Sequence, residues 1–260
     1  MTKKIFILTA FLIALISCNK NNNGNNNGQI TNCKITSIIY DFSPSPRTYN
    51  ATYVGNNLTE LVSTVDKTIF SFNSSNQITK RETYDIGNLE VQQKTEYTYN
   101  SNGNLTEEVN YEYFSGALNA TSKFTYTYNG SKRTEMLIYS NGGTTYDGKN
   151  TYNWTGDNIS ALTHYSNTNT IDCVNNFAFD LTKTNSFYSN YPNFYIQDLY
   201  DEDLTHVYFL SKNQLTTISS QCPTLETDNW TFTYNSSNMM KIVKINNGTI
   251  PYWTFNYSCD

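Results

Sequence analysis

The sequence predicts an all-β fold: an antiparallel β-hairpin meander that forms a strongly coiled sheet or a barrel-like closure, soluble, and preceded by a signal peptide. Three observations carry this expectation. Aromatic and polar residues alternate with a period of two, as in Glu96–Tyr113 (EYTYNSNGNLTEEVNYEY), which places the rings on one face of each strand. Clusters of Asn, Gly and Ser, which tolerate positive φ and bond their own backbone, recur about every 25 residues. No stretch after the first seventeen residues shows sustained helical periodicity.

Composition agrees. Aromatics supply 15% of the 260 residues, with 22 Tyr against 3 Trp, and such residues fit a pleated, half-buried surface. Charged residues also reach only 15%, so Asn, Thr and Ser carry the surface polarity. The net charge of −5 and the lack of any Lys/Arg run longer than a pair argue against nucleic acid as a partner, because phosphate binding needs a clustered basic surface.

Residues 1–17 read as an export signal: Lys3 and Lys4 precede the apolar run Ile5–Ile16. That run is shorter than the roughly 20 residues a permanent membrane helix needs. It ends Leu15-Ile16-Ser17-Cys18, which resembles a bacterial lipobox at all four positions. The resemblance implies cleavage before Cys18, a diacylglycerol on its thiol and an acyl chain on its amine. The membrane is therefore the expected partner through this lipid anchor, and several acyl chains hold firmly where one would not. Loss of Lys3 and Lys4 would take the net charge from −5 to −7. Residues 18–29 form an Asn/Gly-rich tether unable to bury apolar surface, and residues 30–260 form a single β-meander domain.

Cys33–Asp41 is the first strand candidate. Turn regions follow at 54–58, 73–76, 100–104, 129–131, 155–158, 211–214 and 235–238. An aromatic precedes nearly every one (Tyr53, Phe72, Tyr99, Tyr128, Trp154, Phe209, Tyr234), and an apolar residue usually follows (Leu58, Ile78, Leu105, Ile159, Leu215, Met239). Second turns lie between them, as at Ser140-Asn141-Gly142-Gly143, so each repeat is two strands. Trp230, Phe232 and Tyr234 share one face, as do Trp253, Phe255 and Tyr257; so long an aromatic face must close on itself or be covered. A membrane-spanning barrel would instead need an outward apolar band that Tyr and Thr do not supply. Residues 179–208 break the rhythm, and irregular segments on rigid scaffolds are where function concentrates.

Tyr99-Asn100-Ser101-Asn102-Gly103-Asn104-Leu105 resembles the tyrosine–aspartate (YD) repeat of Rhs-type shells, with Asn100 in the Asp position. A second likeness is to bacterial lipoproteins carrying a porin-like β domain of unknown function. It rests on the lipobox, the Tyr-Thr-Tyr-Asn hairpins, the Phe179-Asp180…Lys183…Asn185 connection and a last strand ending Tyr257-Ser258-Cys259. Where that family usually has Pro after the Asn, this chain has Ser186. The resemblance implies a fold and a cell-envelope address at the outer membrane, and no activity.

Four cysteines remain beyond Cys18: Cys33, Cys173, Cys222 and Cys259. An even number in an exported chain favours two disulfides over free thiols, and no Cys-x-x-Cys spacing supports zinc. Three connectivities are possible; Cys33–Cys259, tying first strand to last, and Cys173–Cys222, stapling the irregular segment, are the expected pairs. His164 and His206 sit in no nucleophile motif, and Gly-x-Ser-x-Gly and His-Glu-x-x-His are absent from the sequence. Glu107 and Glu108 point to opposite faces of one strand and make a poor catalytic pair. Asp198, Asp201, Glu202 and Asp203 form an acidic segment able to offer oxygens to a ligand or Ca²⁺, without EF-hand spacing. The expectation is a non-catalytic binding or scaffold module with no catalytic residues, metal or cofactor, recognising a glycan or an envelope protein. The alternatives are a glycan- or peptide-directed hydrolase built on 198–203 with His206, and a structural accessory of an outer-membrane complex.

Overall fold

The computed structural model describes residues 33–40, 46–87, 89–185, 207, 210–222, 230–236, 240–245 and 253–259. Among the described residues sixteen strands form one sheet: β1 (Cys33–Tyr40), β2 (Arg47–Val54), β3 (Asn57–Val62), β4 (Asp66–Phe72), β5 (Ile78–Asp85), β6 (Val91–Tyr99), β7 (Leu105–Phe114) and β8 (Ala117–Asn129). The second half comprises β9 (Lys132–Ser140), β10 (Thr145–Thr155), β11 (Asn158–Ser166), β12 (Ile171–Thr184), β13 (Asn213–Gln221), β14 (Trp230–Tyr234), β15 (Met240–Ile245) and β16 (Trp253–Cys259). Every pairing is antiparallel, and every pair adjacent in sequence is laddered except β13 and β14.

The meander returns on itself, because β1 pairs with β16. The sheet's two edges are therefore β13 and β14, which are consecutive in the chain. The sheet is not closed: no ladder joins those edges among the described residues. A side chain crosses there instead, with the Tyr234 hydroxyl donating to the Leu215 carbonyl at 2.9 Å. Of the two expected shapes, then, the coiled sheet is the observed one, brought to the brink of a barrel.

One local device repeats at the end where β1 begins, called here the turn end. The register pairs an aromatic with a residue across each hairpin: Tyr53 with Leu58, Phe72 with Ile78, Tyr99 with Leu105, Tyr128 with Arg133, Trp154 with Ile159, Phe179 with Leu215 and Tyr234 with Met240. The residue after the second member is extra to the ladder, a β-bulge. In six hairpins it is Thr or Ser (Thr59, Thr79, Thr106, Thr134, Ser160, Thr216). Its hydroxyl donates to the carbonyl just before the aromatic at 3.0–3.4 Å, a bond that ties the bulge across the hairpin. Met240 takes the place expected of Met239, because the turn there is one residue longer; Met239 lies outside the described residues.

The hairpins are also bonded to one another. The Tyr99 hydroxyl donates to Ile78 O (2.8 Å) and Trp154 Nε1 to Arg133 O (2.7 Å), each reaching the preceding hairpin as Tyr234 does. A belt of turn-to-turn bonds follows the same path: Lys34 Nζ to Gly55 O (2.7 Å), Asn57 Nδ2 to Asn76 Oδ1 (3.2 Å), Gln77 Nε2 to Gly103 O (2.9 Å), Asn104 Nδ2 to Gly130 O (3.3 Å) and Lys132 Nζ to Gly156 O (2.5 Å).

The inward face is filled with side chains. Ile35, Leu58, Ile78, Leu105, Ile159 and Leu215 are buried, and Tyr53, Phe72, Tyr99, Tyr128, Trp154, Phe179, Tyr234 and Tyr257 pack against them. The outward face carries ion pairs: Lys67–Glu60 (2.8 Å), Lys80–Glu82 (2.9 Å), Lys94–Glu96 (2.9 Å), Lys123–Glu107 (3.3 Å) and Lys149–Glu135 (3.1 Å).

The irregular segment is shorter than expected, because β12 continues through Thr184 before the chain leaves the sheet. Residues 211–214 likewise end a long excursion and enter β13; they are no hairpin turn. Asn185 pins the base of the excursion, its Nδ2 donating to Ser211 O (3.1 Å) and its backbone N–H to Lys212 O (2.7 Å).

One glycine is fixed by geometry. Gly148, beside the β9–β10 bulge, has φ +154°, and a Cβ there would lie 2.2 Å from the Tyr165 carbonyl oxygen. Neither backbone can yield without moving a ladder. Gly148→Ala should therefore lower stability by about 1–3 kcal/mol, read as a shifted urea midpoint at unchanged m-value.

Candidate functional site

The opposite end of the coil, called here the mouth, holds a cavity of about 410 Å³. It lies where β1 to β6 and β16 converge. Its floor is apolar apart from one cation: Ile38, Phe70 and Trp253, with Arg81, are all buried. Arg81 faces inward because β5 alternates, and its Nη2 donates to Thr95 Oγ1 at 2.8 Å. From Thr95 the bonds continue strand by strand, to Asn110 Oδ1 (2.7 Å) and from Asn110 Nδ2 to Ser122 Oγ (3.1 Å). These residues are direct register partners on β5, β6, β7 and β8, so a polar ladder leads from the cavity along the inner wall. Above the floor the Thr68 and Thr83 hydroxyls meet at 3.1 Å.

Arg47, Val65, Asp66 and Asp85 form the rim. Asp66 accepts from Ser63 Oγ (2.5 Å) and Tyr49 OH (3.3 Å), and Arg47 Nη1 lies 3.7 Å away. Asp85 accepts from the Gly87 backbone N–H at 2.6 Å. Both carboxylates thus hold turns. The cavity offers guanidinium, hydroxyl and amide groups over an aromatic floor, a lining that fits recognition of a polar ligand.

Apolar side chains stand exposed around the mouth. Val65, Ile86, Leu89, Phe114 and Ile171 all lie on or beside the loops of that end, with Leu89 74% and Phe114 73% exposed. The first two loops are joined, the Ile86 N–H donating to Val65 O at 3.0 Å.

The residues singled out from sequence fall as follows. Cys173 and Cys222 form a disulfide, with Cα atoms 4.3 Å apart. It joins β12 to the end of β13 at the mouth, at the far end of that hairpin from the excursion it closes. Cys33 and Cys259 are register partners. Cys18, Asp198, Asp201, Glu202, Asp203 and His206 lie outside the described residues. His164 Nδ1 is 2.6 Å from Asn150 Oδ1, and Asp172 is 3.8 Å from its Nε2, on the sheet wall away from the cavity. Glu107 and Glu108 do face opposite ways, the first to Lys123 outside and the second inward, where it is 2% exposed. The sequence reading missed the cavity residues, because isolated Arg, Asp and Thr on successive strands form no motif.

No family model matches the sequence, and no curated protein matches it. Solved structures do. A porin-like protein from Bacteroides uniformis ATCC 8492 aligns over 90% of this chain and 99% of its own, with 13% identity and a TM-score of 0.53. A porin-like protein from Bacteroides vulgatus ATCC 8482 aligns over 87% and 98%, with 11% identity and a TM-score of 0.38. The pore of the Photorhabdus luminescens Tc holotoxin aligns over 81% of this chain and 12% of its own, with 13% identity and a TM-score of 0.37. The first likeness is one of fold.

Proposed function

We propose that this chain is a non-catalytic binding module of the cell envelope, held to the outer membrane by acyl chains on Cys18, with its mouth as the working face. The observation that carries this reading is the polarity of the coil. Strand β1 begins at the turn end, so the tether enters there, while the cavity lies at the other end with five exposed apolar side chains (Val65, Ile86, Leu89, Phe114 and Ile171), against two, Val54 and Leu181, toward the turn end among the described residues. The fifteen residues before β1 reach at most roughly 50 Å and join the coil at the end opposite the mouth. The ion-paired outer wall supports a coil standing in water, since a lipid-facing wall would be apolar. The porin-like fold accords with an envelope address. Rim carboxylates already bonded to turns favour binding over acid–base chemistry.

The expected occupant is a glycan or an extended envelope peptide. Glycan- and peptide-array binding by residues 29–260 should show a defined preference, weakened at least tenfold by Leu89→Ser with Phe114→Ser. Indifference of both arrays, or equal binding by the double variant, would remove the mouth from consideration. Palmitate labelling of the full chain should be abolished by Cys18→Ser; labelling that persists would refute the anchor.

A further inference from the structure

The seven hairpins described above have an eighth counterpart, and its two halves are β16 and β1. In the β16–β1 pair Tyr257 faces Ile35, and the next pair is Asn256 with Ser37, leaving Thr36 extra to the ladder. That is the pattern of Tyr99 with Leu105 and Thr98 with Glu107, with Thr106 extra. The side chains agree too. Tyr257 packs on the core, Ile35 is buried, and the residue before Ile35 is Lys34, whose Nζ reaches the Gly55 carbonyl as Lys132 reaches that of Gly156. Thr36 supplies the hydroxyl residue at the bulge. Only the connecting turn is missing, and in its place the register sets Cys33 opposite Cys259.

We infer that Cys33 and Cys259 are joined as a disulfide that replaces the turn of this eighth hairpin. Directly opposed residues of antiparallel strands have Cα atoms about 4.5–5.5 Å apart, inside the roughly 4.4–6.8 Å that a disulfide bridges. Without it β1 and β16 would be the one pair of the eight with no covalent connection at the turn end, since the other seven pairs are consecutive in the chain. The bond forms by thiol–disulfide exchange with a disulfide-carrying oxidant of the export compartment. One cysteine thiolate displaces a sulfur of the donor disulfide, giving a mixed disulfide. The second thiolate then displaces the donor's other sulfur. The two cysteines lose two protons and two electrons, and the donor leaves as two thiols.

The test is peptide mapping of the exported full-length protein, alkylated and digested without reduction. A Cys33 peptide linked to the Cys259 peptide, separating on reduction, is the expected result. Alkylated Cys33 or Cys259, or either one paired elsewhere, overturns the inference. A stability measurement tests the role. Cys33→Ser with Cys259→Ser should melt roughly 6–15 °C below the parent, as expected for closing so long a loop. A circular permutant should recover at least half of that loss with no disulfide at the site. In it Asn-Ser-Asn-Gly-Asn joins Ser258 to Lys34, and new ends open at Gly130. An unchanged melting point in the serine variant, or a permutant that recovers nothing, would show that the cysteines do not stand in for a turn.

Discussion

Replacing Arg133 with leucine is expected to lower stability by about 3–5 kcal/mol, although aliphatic residues fill the same position in neighbouring hairpins. Arg133 is 1% exposed and Glu108 2%. The guanidinium lies 3.8 Å from the centre of the Tyr126 ring, and the Tyr126 hydroxyl donates to the Glu108 carboxylate. Arg133 Nη2 also donates to the Tyr128 hydroxyl at 3.3 Å. The cluster is a buried cation and a buried anion with an aromatic ring between them. Leucine would satisfy the packing and take the cation away from the buried carboxylate, and removing one partner of a buried charge pair costs more than the pair contributes. Glu108→Gln added to Arg133→Leu removes that charge and should restore most of the loss. Urea unfolding of the four proteins reads a coupling of about 1.5 kcal/mol or more. Arg133→Leu as stable as its parent would mean that the cluster is incidental.

That arginine marks the limit of what the sequence discloses. The aromatic before each turn and the apolar residue after it were visible at Tyr53/Leu58, Phe72/Ile78, Tyr99/Leu105 and Trp154/Ile159, because burial imposes residue type. At Tyr128 the following residue is Arg133, so the repeat seemed to lapse where the structure keeps its geometry and changes its chemistry. The bulge residues carried a signal that went unread: Thr or Ser follows the paired position in six hairpins. Period-two reading conceals them, since a bulge shifts the alternation by one. The eighth hairpin was hidden for another reason, because its halves, Asn256-Tyr257 and Ile35-Thr36, stand at opposite ends of the chain. The cavity was not legible at all. Arg47, Asp66, Arg81 and Trp253 come together only through the β1–β16 pairing and the curvature of the sheet, which no local pattern encodes.

Raising the pH above 10 should unfold the coil cooperatively, through tyrosines that serve as its fastenings. Burial pushes the Tyr53 hydroxyl up to about 12, and desolvation raises Tyr99 and Tyr257 further. Desolvation, with the nearby Glu108 carboxylate, holds Tyr126 well above the ordinary range. An unfolded tyrosine releases its proton near pH 10, whereas these keep theirs in the folded chain. Above that pH the folded state binds more protons than the unfolded one, so stability falls as pH rises. The contribution is whole below about pH 10 and disappears as pH climbs through the folded values. Tyr99, Tyr126 and Tyr257 together give a slope of about 4 kcal/mol per pH unit, and the less buried Tyr53 adds a smaller share. Ionising Tyr99 also removes the donor that ties its hairpin to the Ile78 carbonyl, so loss of the proton and loss of the inter-hairpin bond are one event. Absorbance at 295 nm should show exposed tyrosines titrating near pH 10 and a later, steeper step that coincides with loss of the β circular-dichroism signal. A single smooth titration of all 22 tyrosines near pH 10, with the strands intact, would show that the rings are not sealed inside.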